Sequence, residues 1–429
     1  MALVRLRRVT TAMTPPSRAS VRARRRKHIV GLDALRGLAA VYVAASHVVL
    51  ALMPTRIIGQ LFQFGQEAVI IFFLLSGAVI YFSTTARPDL SFGIYFQHRF
   101  RRIYFPFLVS VAVTALIVGW TGNSSNEFSF REFAGNLLML QDFPDKPGNW
   151  VDPFLGNQPL WSLSYEWAFY LLFWPVYRYT PREHQLAGIT LASLLAWFSF
   201  VFHPNHASLV ISYFVIWWVG LELARTWNET GRLAWRRCAG PLISLAIMAL
   251  ATSLPILLHG MGGLSGHPMV MSRHFGAAFS LTAATVLWSK LRFVGFRWTV
   301  GPFLPLAGIS YGIYVLHYPI LVTWGVDSGS TLVLVGVCYR RFLPSRGWWN
   351  DEGKRASTPS STARSIRIRP RSWSDEPPLG LKSCGDRGQY QSHARQLRPA
   401  THAARRCDGY IAARAGDDPG PASRRLQEA

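Results

Sequence analysis

Long apolar stretches separated by short polar ones dominate the first three quarters of the chain. A helix that crosses a lipid bilayer needs about 20 mostly apolar residues. Nine stretches fit this pattern: residues 30–52, 62–83, 103–120, 160–178, 184–202, 207–225, 240–258, 275–290 and 303–324. A tenth candidate, residues 331–343, is short and carries two arginines. The pattern predicts an all-α fold, a polytopic transmembrane helical bundle of about 9 to 10 spans with disordered termini.

Basic residues test this topology, because short cytoplasmic loops of membrane proteins are enriched in Lys and Arg. With a cytoplasmic N-terminus, every predicted inside loop is basic. These loops hold Arg87, Arg99, Arg101 and Arg102, then Arg178 and Arg182, then Arg225, Arg232, Arg236 and Arg237, then Lys290, Arg292 and Arg297. The largest predicted outside loop, residues 121–159, has more acidic than basic residues. We therefore expect a multi-pass protein of the cell inner (plasma) membrane.

Composition agrees with a lipid environment and divides the chain into three parts. Half of the 429 residues are hydrophobic and 16% are charged, a profile that is unusual for a soluble domain. The formal net charge of +23 lies mostly at the two ends. We predict a basic cytoplasmic segment at 1–27, a transmembrane domain at 28–343 and a disordered basic tail at 344–429. The abrupt change in composition after residue 337 also admits a shifted reading frame or a truncated gene.

Other compositional signals are weaker. The N-terminal arginines run directly into a long apolar segment, so we expect no cleavable signal peptide. The four cysteines lie in or beside predicted cytoplasmic regions, and we expect no structural disulfide. The twelve histidines show no zinc-site spacing, so no metal is predicted. The tail has neither regularly spaced aromatic residues nor a recognised motif, which argues against nucleic acid as a partner.

Ionisable residues inside a membrane span are costly and usually functional. In the first span, GLDALRGLAAVYVAASHVVL, Arg36 and His47 are eleven residues apart and therefore lie on nearly the same helical face, about 16 Å from each other along the axis. Asp33 shares that face. Arg36 could instead snorkel beside Asp33, and His47 could form a helix-packing hydrogen bond. The shared face favours one site that combines an anion anchor with a titratable base.

Two further spans contain candidate partners for His47. Glu166 in the fourth span could orient the imidazole, act as the base itself, or close a helix-packing network. His317 in the ninth span could be a second imidazole of the site or an interhelical hydrogen-bond donor. An imidazole suits proton removal from a hydroxyl near neutral pH, so His47 is the candidate general base.

Five segments occur in the order that is typical of one family. These are Arg36-x10-His47, then AVIIFFLLSGAVI in the second span, Arg99-x-x-Arg102 within HRFRRIYFP, PLWSLSYEWAFYLLFWP with Glu166, and GISYGIYVLHYPIL with Ser310, Tyr311 and His317. Together they resemble the acyltransferase-3 family of integral-membrane O-acyltransferases over about residues 30–325. Members of that family acylate sugars, cell-surface polysaccharides and some antibiotics.

The resemblance implies a donor, an acceptor and roles for these residues. The donor would be acyl-CoA, with acetyl-CoA as the expected form, and no resident cofactor is expected. His47 and Glu166 would be catalytic, while Arg36, Arg99, Arg102, Ser310, Tyr311 and His317 would bind substrate or donor. Arginine suits the CoA phosphates because its planar fork donates paired hydrogen bonds. The acceptor would be a hydroxyl of a carbohydrate or glycosylated metabolite, reached by direct attack or through an acyl-enzyme.

A polytopic transporter or flippase for a polar or lipid-linked substrate is the main alternative. Buried Arg, His and Glu side chains would also serve a proton-coupled carrier. The sequence shows no twofold repeat of hydropathy, and its charged candidates are concentrated in the first and fourth spans. These two features favour the acyltransferase.

Overall fold

The computed structural model describes residues 18–54, 57–87, 89–122, 128–144, 146–259, 267–325 and 330, with side chains described from residue 30 onward except at 259, 267 and 268. Several predictions made from the sequence lie outside these residues. They are the tenth span at 331–343, the disordered tail at 344–429, most of the basic N-terminal segment, and the state of Cys338, Cys384 and Cys407.

Helices account for nearly all of the described chain, as the apolar pattern predicts. The twelve α-helices in this part are α1 (Arg18–Leu52), α2 (Ile57–Leu61), α3 (Gly65–Thr85), α4 (Phe92–Thr121), α5 (Phe130–Leu137), α6 (Trp161–Tyr179), α7 (Arg182–Phe202), α8 (His206–Thr230), α9 (Trp235–His259), α10 (His267–Lys290), α11 (Phe296–Thr299) and α12 (Ser310–His317). Short 3-10 turns at Phe154–Gly156, Gln158–Leu160 and Gly301–Leu306, and a π-helical segment at Tyr318–Trp324, complete the fold.

Six helical stretches are long and apolar enough to cross a membrane, within the residues described. They are Val30–Leu52, Ile57–Thr85, Phe92–Thr121, Arg182–Phe202, His206–Thr230 and Trp235–Leu258. The count of nine to ten spans is therefore not confirmed. Helices do occur at the other three predicted positions, but α6 carries Glu166 and Arg178, α10 carries Arg273 and Lys290, and α12 has only eight residues. The charged residues lower the mean hydropathy of α6 and α10, and α12 alone is too short to cross a bilayer.

Large apolar side chains are exposed along the sides of the long helices. Leu116 and Trp120 on α4, Phe202 on α7, and Leu250 and Leu257 on α9 each leave more than 70% of their surface uncovered. A soluble protein rarely exposes so many large apolar side chains to this extent. Lipid chains are the solvent that makes this surface stable, so the fold is that of a multi-pass membrane protein.

The centre of the bundle is α8, which packs against α3, α7 and α9. Trp217 and Trp218 are fully buried there. The backbones of α3 and α8 touch at two glycines, because a Cβ on Gly220 would lie 1.9 Å from the Leu74 carbonyl oxygen and one on Gly77 would lie 2.0 Å from that of Trp217. Small residues permit this close approach of two membrane helices.

Substitution of Gly220 by alanine is expected to destabilise the protein by about 1–3 kcal/mol, because the new methyl group must push two backbones apart. The thermal midpoint in detergent should fall. Gly188 on α7 is the matched control, since a Cβ there meets no atom within 4 Å. A Gly188→Ala protein should be unchanged or slightly more stable. Equal midpoints for Gly220→Ala and wild type would contradict the close contact of α3 with α8.

Candidate active site

A small pocket, here called the arginine pocket, lies where α1, α3, α4, α6 and α12 meet. Its lining residues are Arg36, Phe72, Ser76, Val79, Ile80, Arg99, Arg102, Glu166, Tyr170 and Tyr311. Its volume is about 20 Å³, which is the space of one water molecule. The pocket unites five of the residues that the sequence predicted for the site.

Arg99 and Arg102 reach this pocket because the segment that carries them is helical. The sequence predicted a loop up to residue 102, but α4 already begins at Phe92. The Ser91 side chain caps it by accepting a hydrogen bond from the Ile94 backbone N–H at 3.4 Å. The two arginines, three residues apart, therefore share one helical face with each other. Hydropathy located only the apolar part of the helix.

Arg36 forms the ion pair that the sequence left open. Its Nη1 lies 3.3 Å from Asp33 Oδ1, and the two side chains are 13% and 32% exposed. Arg36 nevertheless lines the arginine pocket together with Arg99 and Arg102. The pair with Asp33 orients the guanidinium without removing it from the pocket, because one carboxylate cannot satisfy all five N–H donors.

Glu166 lies with the arginines and not with His47. Its Oε1 accepts hydrogen bonds from Tyr170 OH at 2.5 Å and from Ser76 Oγ at 3.0 Å. Trp161 of the same helix lines the cavity that holds His47, five residues before Glu166. That spacing is about 7.5 Å of helix, which carries the carboxylate into the neighbouring pocket. The catalytic role of Glu166 stays a prediction. In this structure its carboxylate is hydrogen-bonded to the hydroxyl groups of Tyr170 and Ser76.

Two polar atoms of the arginine pocket are buried and lack a hydrogen-bond partner in the described part of the chain. They are Arg99 Nε and Tyr311 OH. The Arg99 guanidinium lies 5.8 Å from the ring centroids of both Tyr95 and Tyr170. Buried polar groups in folded proteins are nearly always paired. Two orphaned donors in one pocket indicate a place for an acceptor-rich ligand group.

A second, larger space contains His47 and is here called the His47 cavity. It has a volume of about 450 Å³. The polar and aromatic residues of its lining are Ser46, His47, Gln63, Gln66, Phe143, Gln158, Trp161, Arg273, Tyr314 and Tyr318. The His47 ring centroid lies 5.2 Å from that of His317 and 5.3 Å from that of Tyr318. The predicted base in the first span thus contacts the ninth predicted span, which carries His317 and Tyr318.

His317 is held in one orientation beside His47. Its Nδ1 lies 3.1 Å from the Ile313 carbonyl oxygen. Since a carbonyl only accepts, Nδ1 carries the proton, which leaves Nε2 as the acceptor nitrogen of the neutral ring. That Nε2 is buried and has no partner in the described residues. Ser310, predicted to bind substrate, instead donates to the Ala307 carbonyl at 2.9 Å and lines neither space.

Arg273 and Glu67 were missed by the sequence reasoning. Arg273 lines the His47 cavity and binds Glu67 Oε1 through Nε at 2.9 Å and through Nη2 at 2.6 Å. Glu67 lay inside a predicted span, and an ionisable residue there was a usable signal. Arg273 lay two residues before a predicted span, in a predicted outside loop, and was not considered. The pair ties α10 to α3 beside the cavity.

A buried charged cluster, here called the Asp142 cluster, was also missed. Asp142 is fully buried and accepts hydrogen bonds from Lys146 Nζ at 2.6 Å, Tyr165 OH at 2.6 Å and His206 Nδ1 at 3.1 Å. Lys146 Nζ lies 4.3 Å from the ring centroid of Trp161, which lines the His47 cavity. Burial raises the pKa of the Asp142 carboxyl, but Lys146 and His206 outweigh it and hold that pKa below its ordinary value.

Comparisons with known proteins identify the family of this chain. The acyltransferase-3 family model, described as an acyltransferase domain, matches residues 29–339. Acyltransferase MdmB of Streptomyces mycarofaciens is 34% identical over 120 residues, which cover 25% of this chain and 27% of that protein. The match thus spans about a quarter of that relative's length. No solved structure matches. The family match covers well over half of the sequence, so the chain belongs to the acyltransferase-3 family.

Proposed function

We propose that this protein transfers an acyl group, most simply acetyl, from acyl-CoA to a hydroxyl of a sugar, polysaccharide or glycosylated metabolite. The observation that carries the proposal is the placement of two chemically different spaces along one helix. Arg36 of α1 lines the arginine pocket, and His47 of the same helix lines the larger cavity. One space suits an anion, and the other suits a neutral polar molecule beside a base.

The arginine pocket supports binding of the donor. Three guanidiniums converge there, and Arg99 Nε and Tyr311 OH lack partners in the described chain. The phosphates of CoA would accept hydrogen bonds from these donors. The acidic Glu166 is already engaged by Tyr170 and Ser76, so it repels a phosphate less than a free carboxylate would.

The His47 cavity supports binding of the acceptor. Glutamine amides, tyrosine rings and Trp161 line it, and such groups suit hydroxyls and the apolar faces of sugar rings. The acceptor oxygen would attack the thioester carbonyl while His47 removes its proton. The C–S bond then breaks, and the imidazolium returns the proton to the CoA sulfur. A transient acyl-enzyme uses the same groups.

The proposed orientation follows from charge. Arg99, Arg101 and Arg102 near the start of α4, and the basic residues before α1, belong on the cytoplasmic side by the positive-inside rule. That side of an inner membrane is where CoA thioesters are available. Donor would enter from the cytoplasm, and acceptor would enter from the opposite side or the bilayer.

Acyl transfer can be tested in membranes that contain the protein. Membranes with wild-type protein are incubated with acetyl-CoA labelled in its acetyl group, and label is followed into glycan, lipid and small-molecule fractions. We expect label in one fraction only when the protein is present. Transfer to no fraction from acetyl-, succinyl- or longer acyl-CoA, with correctly inserted protein, would contradict the proposed function.

Substitution of Arg102 by alanine is expected to weaken donor binding. A hydrogen bond to a charged group contributes about 1.5–3 kcal/mol, so the KM for acyl-CoA should rise roughly 10- to 100-fold. Arg101 is the matched control, because it is the neighbouring exposed arginine and does not line the arginine pocket. Arg101→Ala should keep the wild-type KM. Equal KM values in the two variants would show that phosphate binds elsewhere.

A further inference from the structure

The arginine pocket and the His47 cavity are built from the same helices. On α3, Ser76 lines the pocket and Val69 lines the cavity. On α12, Tyr311 lines the pocket, and Tyr314, one turn later, lines the cavity. The two spaces therefore lie one after the other along α1, α3 and α12.

Two aromatic rings stand where the linings meet. Phe72 belongs to the lining of the arginine pocket, and Tyr314 belongs to that of the His47 cavity. Their ring centroids are 5.4 Å apart, with an angle of 59° between the ring planes. Such a contact leaves no room for a water molecule between the rings. The Phe72–Tyr314 contact therefore stands between the two spaces.

The contact between Phe72 and Tyr314 conflicts with the path that the donor must take for acyl transfer. A donor whose phosphates bind the arginines must carry its thioester to His47, eleven residues or about 16 Å along α1. The arginine pocket has a volume of only about 20 Å³, too small for the arm that bears the thioester. One of the two rings therefore has to move before transfer.

Tyr314 is the fixed ring of the two. Its hydroxyl is hydrogen-bonded to Ser162 Oγ at 2.6 Å and donates to the Pro159 carbonyl at 3.0 Å. Its side chain is 5% exposed. Phe72 has no polar group to hold it and is only partly buried. Rotation of Phe72 costs a ring contact, whereas rotation of Tyr314 also costs two buried hydrogen bonds.

We propose that Phe72 is a specificity-determining barrier between donor and base. Its ring swings aside for the thioester-bearing arm, and the space that it vacates limits the size of the acyl group that can reach His47. In the closed position the ring keeps water that enters the cavity away from a bound thioester. This inference rests on the proposed function and gives a specific role to Phe72, which lies in the family-like segment AVIIFFLLSGAVI of the second span.

Acyl-chain preference tests the barrier. Phe72→Ala should raise the ratio of kcat/KM for octanoyl-CoA to that for acetyl-CoA by at least about tenfold, as a pocket enlarged by several methylenes permits. It should also speed hydrolysis of acyl-CoA without acceptor. Phe72→Trp should slow acetyl transfer while binding of CoA to the purified protein is kept. Ile71→Ala is the control, since Ile71 lies on the same helix and lines neither space.

Access to the base provides a test that needs no activity. In inside-out vesicles, a cysteine in His47→Cys is labelled from the arginine side by negatively charged sulfonatoethyl methanethiosulfonate, and labelling is followed on its own peptide by mass spectrometry. Adding Phe72→Ala should speed labelling several-fold, whereas adding Ile71→Ala should not. Equal rates, or an unchanged chain-length ratio, would overturn the barrier. A wild-type protein without transfer would refute the proposed function, and the labelling rates would still decide the barrier.

Discussion

Replacement of His47 by alanine is expected to abolish nearly all acyl transfer, with kcat falling about 100- to 10,000-fold. The imidazole lines the larger cavity and contacts His317 and Tyr318 only through their rings. No hydrogen bond engages it in the described residues, so its nitrogens are available to an acceptor hydroxyl. Loss of the base leaves the attacking oxygen protonated in the transition state.

The measurement is single-turnover transfer from labelled acyl-CoA by purified protein in lipid nanodiscs. His203→Ala is the matched control, because His203 is an exposed histidine at the end of α7. The KM for acyl-CoA should change little in His47→Ala, since the arginine pocket is intact. Wild-type turnover by His47→Ala would show that another group acts as the base. His317 Nε2 would then be the next candidate.

Replacement of Asp142 by asparagine is expected to produce the largest loss of stability, about 3–5 kcal/mol. The amide cannot balance Lys146, whose side chain is 7% exposed and lies 2.6 Å from the carboxylate. A buried ammonium without its partner is far costlier than an unpaired amide. The thermal midpoint in detergent should fall strongly, whereas Asp89→Asn, at an exposed position, should leave it unchanged.

A double variant separates charge from packing. Asp142→Asn combined with Lys146→Met removes both charges, and most of the lost stability should return, because an apolar pair of similar size often replaces a buried ion pair without cost. Additive losses in the double variant would contradict the ionic account. The Lys146 ammonium also lies 4.3 Å from the ring centroid of Trp161, and methionine replaces it there with an apolar, polarisable group that suits an aromatic ring.

The Asp142 cluster also predicts the direction of the pH dependence. The carboxyl has a pKa below its ordinary value in the folded protein. Its contribution is therefore fully present above the unfolded pKa of about 3.9 and is lost as the pH falls through the lowered folded value. Acid unfolding monitored in detergent should show this loss in wild type and not in the double variant.

The Asp142 cluster also supports the wall of the His47 cavity. Phe143 follows Asp142 directly, and its backbone N–H donates to Asp142 Oδ1 at 2.7 Å. Phe143 and Trp161 both line the cavity. The cluster thus holds the loop before α6 against the bundle, and acceptor binding should weaken whenever the cluster is broken.

Local pattern was sufficient for the helices and for the shared face of α1. Apolar runs located a helix at each of the nine predicted positions that the structure describes, because desolvation of the backbone in lipid leaves helix as the only form for such segments. The spacing of Arg36 and His47 depends only on the pitch of one helix. Arg99 and Arg102 likewise share a face once their segment is helical. These properties need no knowledge of neighbouring helices.

Tertiary packing decided which residues meet across helices. Glu166 lies beside Ser76 and Tyr170, because the rotation and depth of α6 relative to α3 are set by side-chain packing that no single-helix period encodes. The contact of Phe72 with Tyr314 joins residues 242 positions apart and comes from the same packing. The charges of the loops were sufficient to predict a topology. The buried ion pair of Asp142 with Lys146 could be identified only from the packing of the loop against the bundle. A one-dimensional pattern specifies each helix face, and the three-dimensional fit between faces selects the partners.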